Sequence, residues 1–174
     1  MFTMRPATEA DTAGVEKMIS ARCDWQEQSG LESWRDDVGD LAGQAASGFM
    51  WVLETEGHIV GCTTVMDQAP PKDWTPEEAE EPSLYLFTTV TDPAYQEHKP
   101  GTLIALWAVD RAARQERMWV RRGCFFPELV KYYETQGFAL VKEQERSAGH
   151  LYLLARRAER LDLGGLGITE CSAP

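Results

Sequence analysis

The sequence has little of what staples a small secreted module or holds a metal. Its 174 residues include 4 cysteines and 3 histidines. Cys23, Cys62, Cys124 and Cys171 lie far apart with no CxxC pair, and no histidine stands three to five residues from another. Neither zinc nor any other metal is expected, and the thiols read as free rather than as a disulfide framework. Long apolar runs are also missing: nothing approaches the ~20 residues that span a bilayer. The start MFTMRPATEAD has neither a basic n-region nor an apolar h-region, so a soluble cytoplasmic protein is the expectation. Positive charge is scarce as well. Seventeen Lys and Arg against 28 Asp and Glu give a net charge of −11. Such a chain repels a phosphate backbone or an anionic lipid surface, which argues against nucleic acid and membrane as partners.

What is present suits one globular domain. The composition is 43% hydrophobic and 26% charged, and a chain of this length buries about 70% of its unfolded surface without a staple. Phe2 to Pro6 reads as a short strand. Thr8 with Asp11 three residues on resembles a capping box and opens a helix from about Glu9 to Trp25. Trp34, Val38, Leu41 and Ala45 predict a second amphipathic helix after Gly30. Phe49–Thr55 and His58–Val65, separated by Glu56-Gly57, read as a hairpin. Residues 66–82 carry four prolines and an acidic run and read as a long loop. Leu84–Val90 is a buried strand, Gly101–Arg117 a helix and Met118–Arg122 a strand. A short helix around Leu129, Tyr132 and Tyr133 stops at Gly137, and Phe138–Val141 and Leu151–Ala155 complete about seven strands. The expected fold is α/β, a twisted mixed sheet with helices on both faces. It occupies residues 1–160, with 161–174 as a loosely held tail.

The informative stretch is LYLFTTVTDPAYQEHKPGTLIALWAVDRAAR. A turn that opens a helix presents unpaired N–H groups and the positive end of the dipole, which suits a phosphate or pyrophosphate. Residues 98–122 hold Lys99, Arg111, Arg114, Arg117, Arg121 and Arg122 against Asp110 and Glu116. This basic island on an acidic chain fits an anionic cofactor; it equally fits a solvated helix face whose arginines pair with acidic neighbours.

These residues resemble the GNAT superfamily of acyl-CoA-dependent N-acyltransferases, from Met4 to about Arg157. RPATEADTAGVEKM is similar to its first strand and helix. Asp92-Pro93-Ala94-Tyr95-Gln96 to Gly101, followed by Leu103, Ile104 and Trp107-Ala108, resembles the acyl-CoA signature R/Q-x-x-G-x-G/A. Tyr133-Glu134-Thr135-Gln136-Gly137-Phe138 resembles the Y-E-x-x-G-F ending. The resemblance implies direct transfer of an acetyl or other acyl group from acyl-CoA, usually acetyl-CoA, to an amine of a small molecule or peptide. It implies that Thr88, Thr89, Val90 and Thr91 meet the thioester and pantetheine. Gln96, Lys99, Gly101 and Thr102 would meet the pyrophosphate, and Tyr133 would be the general acid for the leaving thiolate. By spacing alone, Tyr133 reads as a core aromatic on the face of Leu129 and Tyr132.

Three positions depart from the pattern. Lys99 replaces the first glycine, Pro100 brings no N–H, and Phe126 stands where an asparagine is frequent. The departures at 99 and 100 leave a second function open, a catalytically silent module that binds a CoA ester or small ligand. No general base is evident in Leu84–Thr91. Asp24, Glu27 and Glu32 between the first two helices are candidates beside their plainer reading as surface acids. Trp25 and Trp34 either shape an acceptor pocket or pack in the core. Cys124 has no histidine near it in sequence and is a poor nucleophile. Glu77, Glu78, Glu80 and Glu81 favour a cationic acceptor if they rim the cleft, and otherwise only solvate the loop. The acceptor itself, and whether the chain works alone or as a homodimer, are not legible in the sequence.

Overall fold

The computed structural model describes residues 1–172; Ala173 and Pro174, the end of the expected tail, lie outside the described residues. The strands form a mixed sheet in the order β6-β7-β5-β4-β3-β2-β1-β8, where β1 is Phe2–Pro6, β2 Met50–Thr55, β3 His58–Met66, β4 Ser83–Thr91, β5 Trp119–Cys124, β6 Ala139–Arg146, β7 Gly149–Arg157 and β8 Ile168–Glu170. Two compact units divide the chain. The first holds Met1–Thr64, Thr88–Ile104 and the chain from Asp162 onward, and the second holds Val65–Phe87 and Ala105–Leu161.

In the first unit β1 pairs antiparallel with β2, and β2 with β3. The expected Glu56-Gly57 turn joins β2 to β3, with φ of 50° and 78° at its two residues, the left-handed pair that a tight hairpin demands. Thr8 and Asp11 form the expected capping box, and a 3-10 turn at Glu9–Asp11 runs into α1 (Thr12–Gln28). The same Asp11 carboxylate accepts from Arg5 of β1 at 2.9 Å, which ties the helix start to the strand. α1 buries Val15, Met18, Ile19 and Cys23 in one core with Val52, Cys62 and Val90. The second expected helix is broken into a 3-10 turn (Arg35–Asp37), α2 (Val38–Gly43) and another 3-10 turn (Gln44–Ala46). Its apolar stripe survives, because Val38, Ala42 and Ala45 are all buried.

The tail departs from expectation. Residues 168–170 are a strand, β8, paired parallel with β1 through Phe2 and Ile168. Glycines at 164, 165 and 167 turn the chain, Gly167 taking φ 76°, and its carbonyl receives the Phe2 N–H at 2.8 Å. Ile168 is then 1% exposed, so one apolar residue anchors a segment whose composition reads as loose. It accounts for eight strands rather than about seven.

In the second unit the first part of β4 pairs parallel with β5, β5 antiparallel with β7, and β7 with β6. β6 and β7 run past the expected ends because the polar, mostly charged residues Lys142–Arg146 continue the edge strand. An edge strand needs only backbone partners on one side and carries charge outward. The stretch 66–82 is not simply a loop: Thr75 and Glu78 cap a short helix, α3 (Pro76–Glu80), and Asp73 and Trp74 are buried. α4 (Pro100–Arg114) ends three residues before its expected limit. Glu116, at φ 58°, bonds back to Ala113 while Arg117 bonds to Ala112, a Schellman closure without glycine. α5 (Pro127–Thr135) closes the same way at Gly137, as expected.

Candidate active site

The site begins where β4 leaves its extended path. Thr88 has φ 44°, a conformation costing a β-branched residue on the order of 1–3 kcal/mol and found mainly where surrounding structure enforces it. Its carbonyl accepts from Cys62 Sγ of β3 at 3.8 Å, and Thr89 Oγ1 meets Thr63 Oγ1 at 3.0 Å. Burial pushes the Cys62 thiol up to about 12, a backbone contact to Val90 opposing; it stays a neutral donor. A Cβ on Gly61 would lie 2.9 Å from Ile104 Cδ1 and 3.5 Å from the Val90 carbonyl. Glycine at 61 therefore lets the first turn of α4 approach the strands closely. Thr88, Thr89 and Thr91 are half-buried and Val90 is buried.

Arg22 of α1 secures the end of β4. Its Nε donates to the Thr91 carbonyl and its Nη2 to Thr91 Oγ1, both at 2.8 Å. Sequence reasoning missed this residue, since the partners stand 69 positions apart and Arg22 reads only as part of a helix. After Thr91, Asp92 accepts the Ala94 N–H at 2.9 Å and caps the 3-10 turn Pro93–His98. Lys99 then takes φ 51°, the left-handed geometry for which glycine is the natural residue. Pro100, whose missing N–H costs nothing at a first helical position, opens α4. The Thr102 and Leu103 N–H groups turn back to the Lys99 carbonyl at 2.9 and 3.2 Å. Gln96 and Lys99 are exposed, Thr102 is half-buried and Gly101 is buried. The first unit thus gathers all eight expected cofactor-binding residues on one strand end, one turn and the positive end of a 15-residue helix.

Tyr133 lies in the second unit on α5, 8% exposed. Its ring centroid is 6.3 Å from that of Phe138, and the Arg122 guanidinium sits 3.7 Å over it. Burial raises the phenol above its usual range, and Arg122 opposes the shift. The hydroxyl is protonated at neutral pH, with a cation placed to steady the anion it would become. Cys124, also buried, has its thiol raised by burial, which removes it further from nucleophilic use.

The basic island is mostly a set of internal ties. Arg114 donates to Asp110 at 2.7 Å, Arg117 to Asp67 and to the Ser83 carbonyl, and the buried Arg121 to the Glu78 carbonyl at 2.8 Å. Arg114 and Arg117 thus pair with acidic neighbours, as the plainer reading of that charge has it, whereas Arg121 is a buried strand residue and Lys99 stays exposed at the start of α4.

Among the acceptor candidates, Asp24 and Glu27 share the guanidinium of Arg35, and Glu32 is exposed. Trp25 and Trp34 are 37% and 36% exposed, so neither is a core residue. Trp25 lies 4.9 Å from the Arg22 guanidinium, on the side chain that holds Thr91. In the second unit Glu78 pairs with Lys142 at 2.6 Å and Glu81 faces Arg121 at 3.6 Å; Glu77 and Glu80 remain exposed.

The sequence profile described as acetyltransferase (GNAT) family matches residues 16–138. No curated protein matches. Solved structures share the fold at low identity. A GNAT-family acetyltransferase from Listeria monocytogenes is 19% identical with a TM-score of 0.71, covering 90% of this chain and 94% of its own. The ribosomal-protein-S18-alanine N-acetyltransferase of Escherichia coli is 12% identical with a TM-score of 0.62, covering 93% and 97%. The polyamine N-acetyltransferase of Drosophila melanogaster, which forms N-acetylagmatine, is 12% identical with a TM-score of 0.62, covering 90% and 100%.

Proposed function

The chain belongs to the acetyltransferase (GNAT) family, and from that premise we propose that it transfers an acetyl group from acetyl-CoA to an amine of a small molecule or peptide. The observation that carries the reading is the strained departure of β4 at Thr88. The backbone turns away from the extended path there, and a thioester with its pantetheine arm would lie along residues 88–91. Thr88, Thr89, Val90 and Thr91 would hold that arm, with Arg22 fixing the last of them. Gln96, Lys99, Gly101 and Thr102 would receive the pyrophosphate at the positive end of α4.

In the proposed reaction the neutral acceptor nitrogen attacks the thioester carbonyl carbon and the C–S bond breaks. Tyr133 gives its proton to the departing sulfur, and Arg122 stabilises the phenolate until a proton returns from the acceptor ammonium through solvent. The raised phenol fits a donor at neutral pH. No helix among the described residues is long and apolar enough to cross a membrane, and the reading places the reaction in the cytoplasm. If exposed Glu77 and Glu80 rim the acceptor cleft they favour a cationic acceptor, and otherwise they only solvate the strap 67–82; Glu78 and Glu81 are already engaged.

A second reading is favoured by one feature: Pro100 offers no N–H at the helix start where the signature places a donor. The chain would then bind a CoA ester without turning it over. Release of free thiol from acetyl-CoA over a panel of amines that includes agmatine separates the two. Amine-dependent release supports the transferase, and tight CoA binding without release supports the silent module.

A further inference from the structure

The second unit carries a cavity of about 290 Å³ that the acyl-transfer reading does not use. The strap 67–82 contributes Trp74, Glu78 and Glu81, β5 contributes Trp119 and Arg121, and Ala139, Val141 and Ala155 of β6 and β7 form an apolar wall. Two buried donors on this lining have no acceptor among the described residues, Trp74 Nε1 and Arg121 Nε. Trp74 is 5% exposed and Arg121 3%. A buried donor without a partner forfeits its full desolvation cost, so native structures rarely keep two on one cavity wall without an occupant.

Charge identifies the occupant further. Arg121 is a buried cation whose nearest carboxylate oxygen, Glu81 Oε2, stands 3.6 Å away, beyond the 2.7–2.9 Å of a charge-assisted bond. That same oxygen already accepts the Trp119 indole N–H. Arg121 Nη1 reaches only a backbone carbonyl, that of Glu78. Its guanidinium lies 4.5 Å from the Trp74 ring, which brings the two donors to one end of the cavity. The Glu78 carboxylate is held by Lys142 at 2.6 Å, so the two acids on the lining are matched by two cations and an entering anion meets no net repulsion. Val141 is the extra residue of the register shift between Leu140 and Lys142, and at 47% exposure it marks the mouth.

We propose that this cavity binds a small carboxylic acid with an apolar body, the carboxylate accepting from Trp74 Nε1 and Arg121 Nε and the body resting on Ala139, Val141 and Ala155. The volume suits a ligand of roughly ten heavy atoms, slightly below the common range of ligand pockets. Burial holds the Arg121 pKa below its usual value, with Glu81 and Glu78 opposing; an additional carboxylate relieves that imbalance.

Benzoate is the probe, with benzamide as its neutral and benzylamine as its cationic counterpart. Titration calorimetry on the full chain should show one saturable benzoate site, with benzamide weaker and benzylamine silent. The indole N–H resonance of Trp74, identified by its disappearance in Trp74→Phe, should shift with benzoate. Trp74→Phe keeps the ring and removes one donor, so benzoate affinity should fall about tenfold, the ratio expected for a lost hydrogen bond to a charged group. Should that variant fail to fold, Val141→Trp fills the exposed mouth and should abolish binding. No saturable heat at tens of millimolar benzoate, equal affinity for benzamide, an unmoved Trp74 resonance, or wild-type affinity in Val141→Trp would each overturn the proposal and leave the cavity to water.

Discussion

Arg122 and Tyr133 stack with the guanidinium carbon 3.7 Å from the ring centroid, inside a unit where the phenol is 8% exposed. The cation favours phenolate while burial favours phenol, and burial is the larger effect. Such a group is protonated at rest yet costs less to ionise than burial alone would make it. Tyr133→Phe keeps the ring beneath Arg122 and removes only the hydroxyl. Its Tm should therefore stay near wild type while kcat falls about 10² to 10⁴-fold, the range for a general acid. Turnover measured where chemistry limits the rate checks this, and near-normal kcat would return Tyr133 to a packing role.

Arg22 holds Thr91 by two bonds of 2.8 Å, to its carbonyl and to its hydroxyl. Arg22→Met retains the aliphatic stem and deletes both bonds. The expected outcome is a rise in KM for acetyl-CoA with a smaller change in kcat, and a stability loss of about 1–3 kcal/mol for the two lost partners. Arg22→Lys keeps a charge but not the fork, so it should recover stability better than KM. Equal losses of kcat and KM affinity in both variants would show that Arg22 supports the fold without positioning the strand.

Local chemistry makes much of this fold legible in the sequence. The Thr8–Asp11 box, the Glu56-Gly57 turn and the Gly137 stop are each decided within a few residues, and each appears where expected. What escaped was decided at a distance or by masking. Thr75 and Glu78 form a capping box as plain as the first, hidden among four prolines and an acidic run. Strand β6 continues through Lys142–Arg146 because β7 supplies the backbone partners, although these residues show no apolar–polar alternation in the sequence. Likewise β8 exists because β1 offers an open edge to Ile168. The stretch proposed to meet the cofactor is legible as a family-like motif, whereas the strain at Thr88 and the hold of Arg22 on Thr91 arise from tertiary contacts with no local signal.

Asp110 links α4 to the chain beyond β7. It is 2% exposed and accepts from Arg114 at 2.7 Å, Arg160 at 3.1 Å and the Leu161 N–H at 2.9 Å. Burial pushes its pKa up, but the bonds from Leu161, Arg114 and Arg160 outweigh burial and hold it below the usual carboxylate value. A depressed folded pKa contributes stability that is present above the unfolded value, about 3.9, and lost as pH falls through the folded one. Wild type should therefore lose Tm steeply below about pH 4. Asp110→Asn should cost about 1–3 kcal/mol at pH 7 and show a shallower acid limb. Parallel Tm profiles for wild type and variant would refute the assignment.

Lys99 sits at φ 51° before Pro100, where a glycine would be unstrained. An L-residue in that region costs roughly 1–2 kcal/mol, and glycine gives back part of the gain through its freer unfolded chain. Lys99→Gly should thus stabilise the protein, by less than that strain, while Lys99→Ala should leave stability near wild type because alanine keeps the strain. Both remove the same exposed charge from the start of α4. Acetyl-CoA binding should weaken alike in the two variants at low salt, and the deficit should shrink toward physiological ionic strength, where screening acts within about 8 Å. The pair separates conformation from charge: Tm should follow the side chain at 99 and affinity the lost ammonium. If Lys99→Gly binds acetyl-CoA as well as wild type at low salt, the lysine is not a phosphate contact and the helix end binds without it.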